Sequence, residues 1–83
     1  MAEYPTNFTY SSGTLSWTNA PDSDWVEVAF TPRGVENWQI CYSGDVKSCC
    51  PFSHPTGDYS VKGRRRKKGG TPGGYGPDEP IHV

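Results

Sequence analysis

Across residues 25–30 the chain alternates: Val26, Val28 and Phe30 fall on every second position, with Glu27 and Ala29 between them. A β-strand has a side-chain period of two, so this pattern buries one face and wets the other. Leu15 and Trp17 repeat the pattern in the run before it, and Trp38, Ile40 and Tyr42 in the run after it. Three half-buried strands within about thirty residues predict an antiparallel sheet. No stretch carries the 3.6-residue period and the caps of a helix.

Turn residues divide the rest of the chain. Strands are expected over residues 4–10, 14–18, 24–31 and 37–43, separated by Ser11-Ser12-Gly13, by residues 19–23 and by Pro32-Arg33-Gly34. Adjacent Cys49 and Cys50 followed by Pro51 allow only a short strand within residues 46–52. Tyr59 and Val61 open a further strand. Beyond Val61 the alternation dissolves into Gly63, five consecutive cations and Gly69-Gly70-Thr71-Pro72-Gly73-Gly74, which reads as a flexible segment. The expected organisation is a β-sandwich body over residues 1–61, a mobile basic Gly-rich loop over 62–76 and a closing strand within 77–83.

At 83 residues this is one small domain, and a chain of this size buries only about 60% of its unfolded surface. The hydrophobic fraction of 33% is low for a globular core. Three Trp, five Tyr and three Phe compensate, since each can bury about 150–250 Å². Charge is unevenly spread. Residues 1–61 hold two basic and seven acidic side chains, net −5, and residues 62–83 hold six basic and two acidic, net +4. Such a split suggests an anionic partner at one end. No apolar run reaches the length of a membrane span, and the first residues do not read as a secretion signal. The expectation is therefore a chain without a membrane partner, cytoplasmic when made or carried in a particle.

Specific residues carry a resemblance. Leu15-Ser16-Trp17-Thr18-Asn19-Ala20-Pro21 is similar to the second strand of fibronectin type III modules, where a buried Trp precedes a proline-containing loop. Residues 25–34 resemble the third strand and its turn. His54-Pro55-Thr56-Gly57-Asp58-Tyr59 supplies the Pro and Tyr of the family's corner, with Phe52 beside Ser53 where a leucine would stand. The chain therefore resembles a seven-stranded, immunoglobulin-like sandwich of fibronectin type III kind. Gly63 and Arg65 depart from it, standing where the sixth strand would present apolar side chains. The resemblance implies structural roles for Trp17, Val26, Val28, Phe30 and Tyr59, with the Tyr59 hydroxyl returning to a backbone group. It also implies a non-enzymatic structural or binding module used in adhesion, spacing or assembly. A phage or viral particle is the expected setting.

Candidate sites are few. Arg64, Arg65, Arg66, Lys67 and Lys68, with nearby Tyr75, can serve as a partner-binding arm. The partner is either an acidic protein or, through phosphate contacts and base stacking, a nucleic acid. The plain reading is a solvated loop that balances an acidic body. Trp25 points opposite to Val26, and either anchors a partner or covers the rim of the second sheet. Cys41, Cys49, Cys50 and His54 have zinc-ligand chemistry but not zinc-knuckle spacing, so no metal or other cofactor is expected. Cys41 can pair with Cys49 or Cys50 in an oxidising compartment; otherwise all three stay reduced. His54 and His82 are the only histidines, and no nucleophile or phosphate-loop motif accompanies them.

Overall fold

A computed structural model describes residues 3–83. Seven strands, β1 (Thr6–Ser11), β2 (Thr14–Thr18), β3 (Ser23–Pro32), β4 (Gln39–Gly44), β5 (Cys49–Pro51), β6 (Asp58–Lys67) and β7 (Glu79–His82), form two antiparallel sheets. The described residues contain no helix. One sheet has the order β1-β2-β5, the other β4-β3-β6-β7. The chain crosses between sheets after β2, after β4 and after β5, so the two sheets are interleaved in sequence.

The core lies between the sheets. Leu15 and Trp17 of β2, Phe8 of β1 and Cys50 of β5 face Val26, Val28 and Phe30 of β3, Tyr59 and Val61 of β6 and Ile81 of β7. Full burial of a large apolar side chain is worth about 1.5–3 kcal/mol, so this small set supplies most of the driving force. Phe52 joins the halves. Its ring meets Phe30 edge-on at 5.1 Å and Tyr59 at 5.5 Å, and His54 packs 4.5 Å away. The Tyr59 hydroxyl donates to the Pro55 carbonyl at 2.7 Å, pinning the turn that enters β6. At the other edge, the Glu79 carboxylate accepts from the backbone amides of Asn7 and Phe8 at 3.2 and 3.0 Å. This satisfies the β1 irregularity, where Asn7 adopts φ 58°.

Two expectations are corrected. The basic stretch is not a loop: β6 continues through Gly63 and Arg65 to Lys67, and its partner β3 stays paired from Pro32 to Ser23. Gly63 occupies an inward position because no side chain fits there. A Cβ would lie 2.9 Å from Pro5 Cγ and 3.2 Å from Phe8 Cζ. The glycine-rich segment is likewise tied down, with Gly73 N donating to Arg65 O and Gly76 N to Gly63 O, each at 2.9 Å. Second, Trp38, Ile40 and Tyr42 do not share a buried face. A bulge opposite Val28 and Ala29 makes Cys41 an extra residue, so Tyr42 pairs with inward Val28 and Ile40 with outward Ala29. Ile40 is consequently 51% exposed, while Cys41 turns toward the core instead of away from it.

Gly63 gives the first test. Gly63→Ala is expected to lower stability by about 1–3 kcal/mol through overpacking. Gly74→Ala, whose Cβ meets no atom within 4 Å, should stay within about 0.5 kcal/mol of the parent. Urea unfolding of both variants checks this. Equal midpoints would show that the Pro5 and Phe8 contacts do not restrict position 63.

Candidate functional site

Pairing fixes what the outer face of β4-β3-β6-β7 displays. Residues opposite one another in antiparallel strands share a face, so Glu27 stands beside Arg64 and Ser43, Ala29 beside Lys62 and Ile40, and Trp25 beside Arg66. Strand alternation thereby splits the basic run. Arg64 and Arg66 project outward, whereas Arg65 points inward and is 9% exposed.

The outward groups neutralise one another. Arg64 Nε donates to Glu27 Oε1 at 2.9 Å and Arg66 Nε to Asp24 Oδ1 at 2.8 Å. The Tyr75 hydroxyl also donates to Glu27 Oε1, and Ser43 Oγ lies 3.4 Å from Oε2. Rings and cations then alternate across the face. Lys62 Nζ sits 4.0 Å from the Trp38 ring centre and 4.8 Å from that of Tyr75; Arg64 Cζ sits 5.1 Å from Tyr75 and 5.5 Å from Trp25. Each such contact contributes about 0.5–1 kcal/mol at an exposed site. Trp25 is therefore half-buried on the outer face beneath Arg64.

Titration follows from these contacts. Burial pushes the Glu27 carboxyl up, but hydrogen bonds from Tyr75 and Arg64 outweigh it and hold the group below the usual carboxylate range. Burial and the Glu27 contact push the Tyr75 phenol up to about 12. The Arg66 hydrogen bond lowers Asp24, and His82, 2.8 Å from Asp58 Oδ1, lowers that carboxyl.

Of the five cations expected to act together, Lys67 and Lys68 are exposed and have no carboxylate within 4.0 Å among the described residues. The sequence reading omitted Glu27, Lys62 and Trp38 from this face. Lys62-Gly63-Arg64-Arg65-Arg66 carries no hydropathy period that would have extended β6 past Val61. Among the described residues the exposed large apolar side chains are Val35, Ile40 and Val46, one on β4 and the others before and after it along the chain, and β4 has no second strand partner.

The cysteine constellation separates in part, with Cys41 and Cys50 meeting between the sheets and Cys49 standing apart from them. Cys49 is exposed, whereas Cys50 is buried in one sheet and Cys41 packs against the core from the other. Hydrogen bonding to Cys50, then burial, raises the Cys41 pKa, and the same bond lowers that of Cys50. The His54 ring packs tilted against Phe30 and edge-on against Phe52. No metal-binding group of three or more His, Cys, Asp or Glu side chains occurs among the described residues.

Two measurements follow. Glu27→Gln should cost about 1–3 kcal/mol at pH 7, where charged hydrogen bonds are lost. Because the folded pKa of Glu27 is depressed, that difference is present above the unfolded value of about 4.3 and disappears as pH falls through the folded one. Urea midpoints of both proteins between pH 7 and 2.5 check the sign; a difference independent of pH would refute it. With Ellman's reagent, one thiol of three, Cys49, is expected to react in the native state, and Cys41 and Cys50 only after denaturation. Two or three fast thiols would contradict the assignment. No family model, curated protein or solved structure matches this chain.

Proposed function

We propose that this chain is a non-enzymatic, immunoglobulin-like docking module of fibronectin type III kind, joined to a protein partner in a larger assembly along the β4 edge. The observation that carries this reading is the uncovered edge strand β4 with exposed Ile40 on it, flanked along the chain by exposed Val35 before it and Val46 after it. Natural sheets protect such edges with charge, proline or cover, because free N–H and C=O groups recruit another strand. Here Gln39–Gly44 carries no charged residue, and one of its exposed side chains, Ile40, is apolar. An extended partner segment can add main-chain hydrogen bonds to β4 and set apolar side chains against Ile40.

The fold assignment is supported by the Tyr59 to Pro55 hydrogen bond, which has the form of a tyrosine corner, and by the crossings between sheets. A viral particle, the setting the sequence suggested, is one assembly in which such a module serves. The nucleic-acid reading is disfavoured by charge. Arg64 and Arg66 are held by carboxylates and Arg65 is recessed from the surface, so no continuous row of free cations is left to follow a phosphate backbone.

A photo-crosslinking amino acid placed at Val35 or Val46, in the native producing cells, tests the edge. A discrete protein adduct is expected from either position and none from Ser12, an exposed turn residue outside β4. Adducts from Ser12 alone, or only with nucleic acid, would overturn the proposal.

A further inference from the structure

The inward positions of β6 pass from Val61 and Gly63 to Arg65 and Lys67 as the strand runs beyond the core. Arg65 Nε donates to the Glu3 backbone carbonyl at 3.1 Å and Nη1 to that of Pro21 at 3.2 Å. Among the described residues no carboxylate lies within 4.0 Å of its guanidinium. Arginine is rarely buried this deeply without an anion. Two carbonyl dipoles satisfy its hydrogen bonds but leave its charge uncompensated in a poorly solvated place.

Arg65 borders a cleft of about 360 Å³, lined also by Lys67, Tyr4, Tyr75 and the side-chain-free backbone of Gly73 and Gly74. The hydrogen bond from Gly73 N to Arg65 O at 2.9 Å holds the glycine wall beside the strand. Glu3, exposed at the rim, is the one carboxylate among the lining residues. Two cations against one acid leave a site that favours an added anion, and a dianion best. Arginine meets phosphate oxygens in a bidentate fork, and lysine meets them as a point charge. The cleft falls in the range of small-molecule sites, about 300–1,000 Å³, and is larger than a phosphate alone requires.

We propose that this cleft binds a small phosphate monoester. The oxyanion lies against Arg65 and Lys67, and the organic part against Tyr4 and Tyr75. The site lies on β6 and the segment paired to it, two strands away from the β4 edge. It does not depend on the docking reading, and the two can fail separately.

The test is a titration of the ¹⁵N-labelled full chain with phenyl phosphate, inorganic phosphate and benzoate, at pH 7.5 and matched ionic strength. Saturable shifts are expected at the Thr71, Gly73 and Gly74 amides and at Arg65 Nε–H, with phenyl phosphate binding at least about 3-fold tighter than inorganic phosphate and 10-fold tighter than benzoate. Lys67→Glu, at an exposed position, should weaken phenyl phosphate by about 5-fold or more. Glu3→Gln, which leaves the backbone carbonyl to Arg65 in place, should strengthen it by about 2-fold. Unchanged amide spectra elsewhere report that both variants are folded. Absence of saturation to about 50 mM, or affinity unaltered by both variants, would overturn the site. Benzoate binding as well as phenyl phosphate would overturn the assigned chemistry, and inorganic phosphate binding as well would overturn the seat for an organic group.

Discussion

The pairing of β3 with β6 is the constraint on which the rest depends. Both strands are ten residues long, and they stay in register from Pro32–Tyr59 to Ser23–Lys67 with one irregularity. On one face this pair carries Val26, Val28, Phe30, Tyr59 and Val61 into the core. On the other it sets Glu27 against Arg64 and, through the returning segment, against Tyr75. The two faces cannot be altered independently, because a one-residue slip would exchange them. Gly63 is the point where they meet: its lack of a side chain lets Pro5 and Phe8 close over the inward side while Arg64 next to it anchors the outward one.

The core and strand count were legible because buried strands announce themselves by alternation. Trp17, Val26, Val28 and Phe30 sit in runs where every second residue is apolar, and turn residues bound those runs. Two features were not legible, for different reasons. In β6 the inward positions beyond Val61 hold a glycine and an arginine, so hydropathy carries no period there although the backbone does. What keeps the strand going is its partner β3, a non-local cause that a reading along one chain cannot see. In β4 the pattern was present and misleading. Trp38, Ile40 and Tyr42 alternate, but inserting Cys41 at the bulge reverses the face of every residue before it.

The outer-face site was partly legible for a related reason. The asymmetry between an acidic body and a basic end suggested an external partner. In the fold, Asp24 and Glu27 come from the acidic portion and Arg66 and Arg64 from the basic one, and strand pairing brings them together. Much of the separation along the sequence is therefore consumed inside the molecule. These pairs are partly exposed, so each adds modestly to stability. Their larger effect is to remove two arginines and the Trp25 and Trp38 rings from the groups available to a ligand, since each of these rings already holds a cation, while Tyr75, held by Lys62 and Arg64, still lines the neighbouring cleft.

Saturation of that kind separates decoration from function. A face whose donors, acceptors and rings are already matched gains little from a new partner, because binding must first break what is there. The ladder from Trp38 to Trp25 is such a face, despite carrying the side chains most often credited with recognition. The unmatched groups lie elsewhere: apolar Ile40 on an uncovered edge, and the charge of Arg65, a residue bordering a cleft whose lining includes only Glu3 as an acid. Both lose an existing cost when occupied, apolar exposure in one case and an uncompensated charge in the other. The ladder then acts as the rigid wall between them. By fixing Tyr75 through Glu27, it holds the glycine segment that forms one side of the cleft, so loosening Glu27 should weaken a ligand that it never touches.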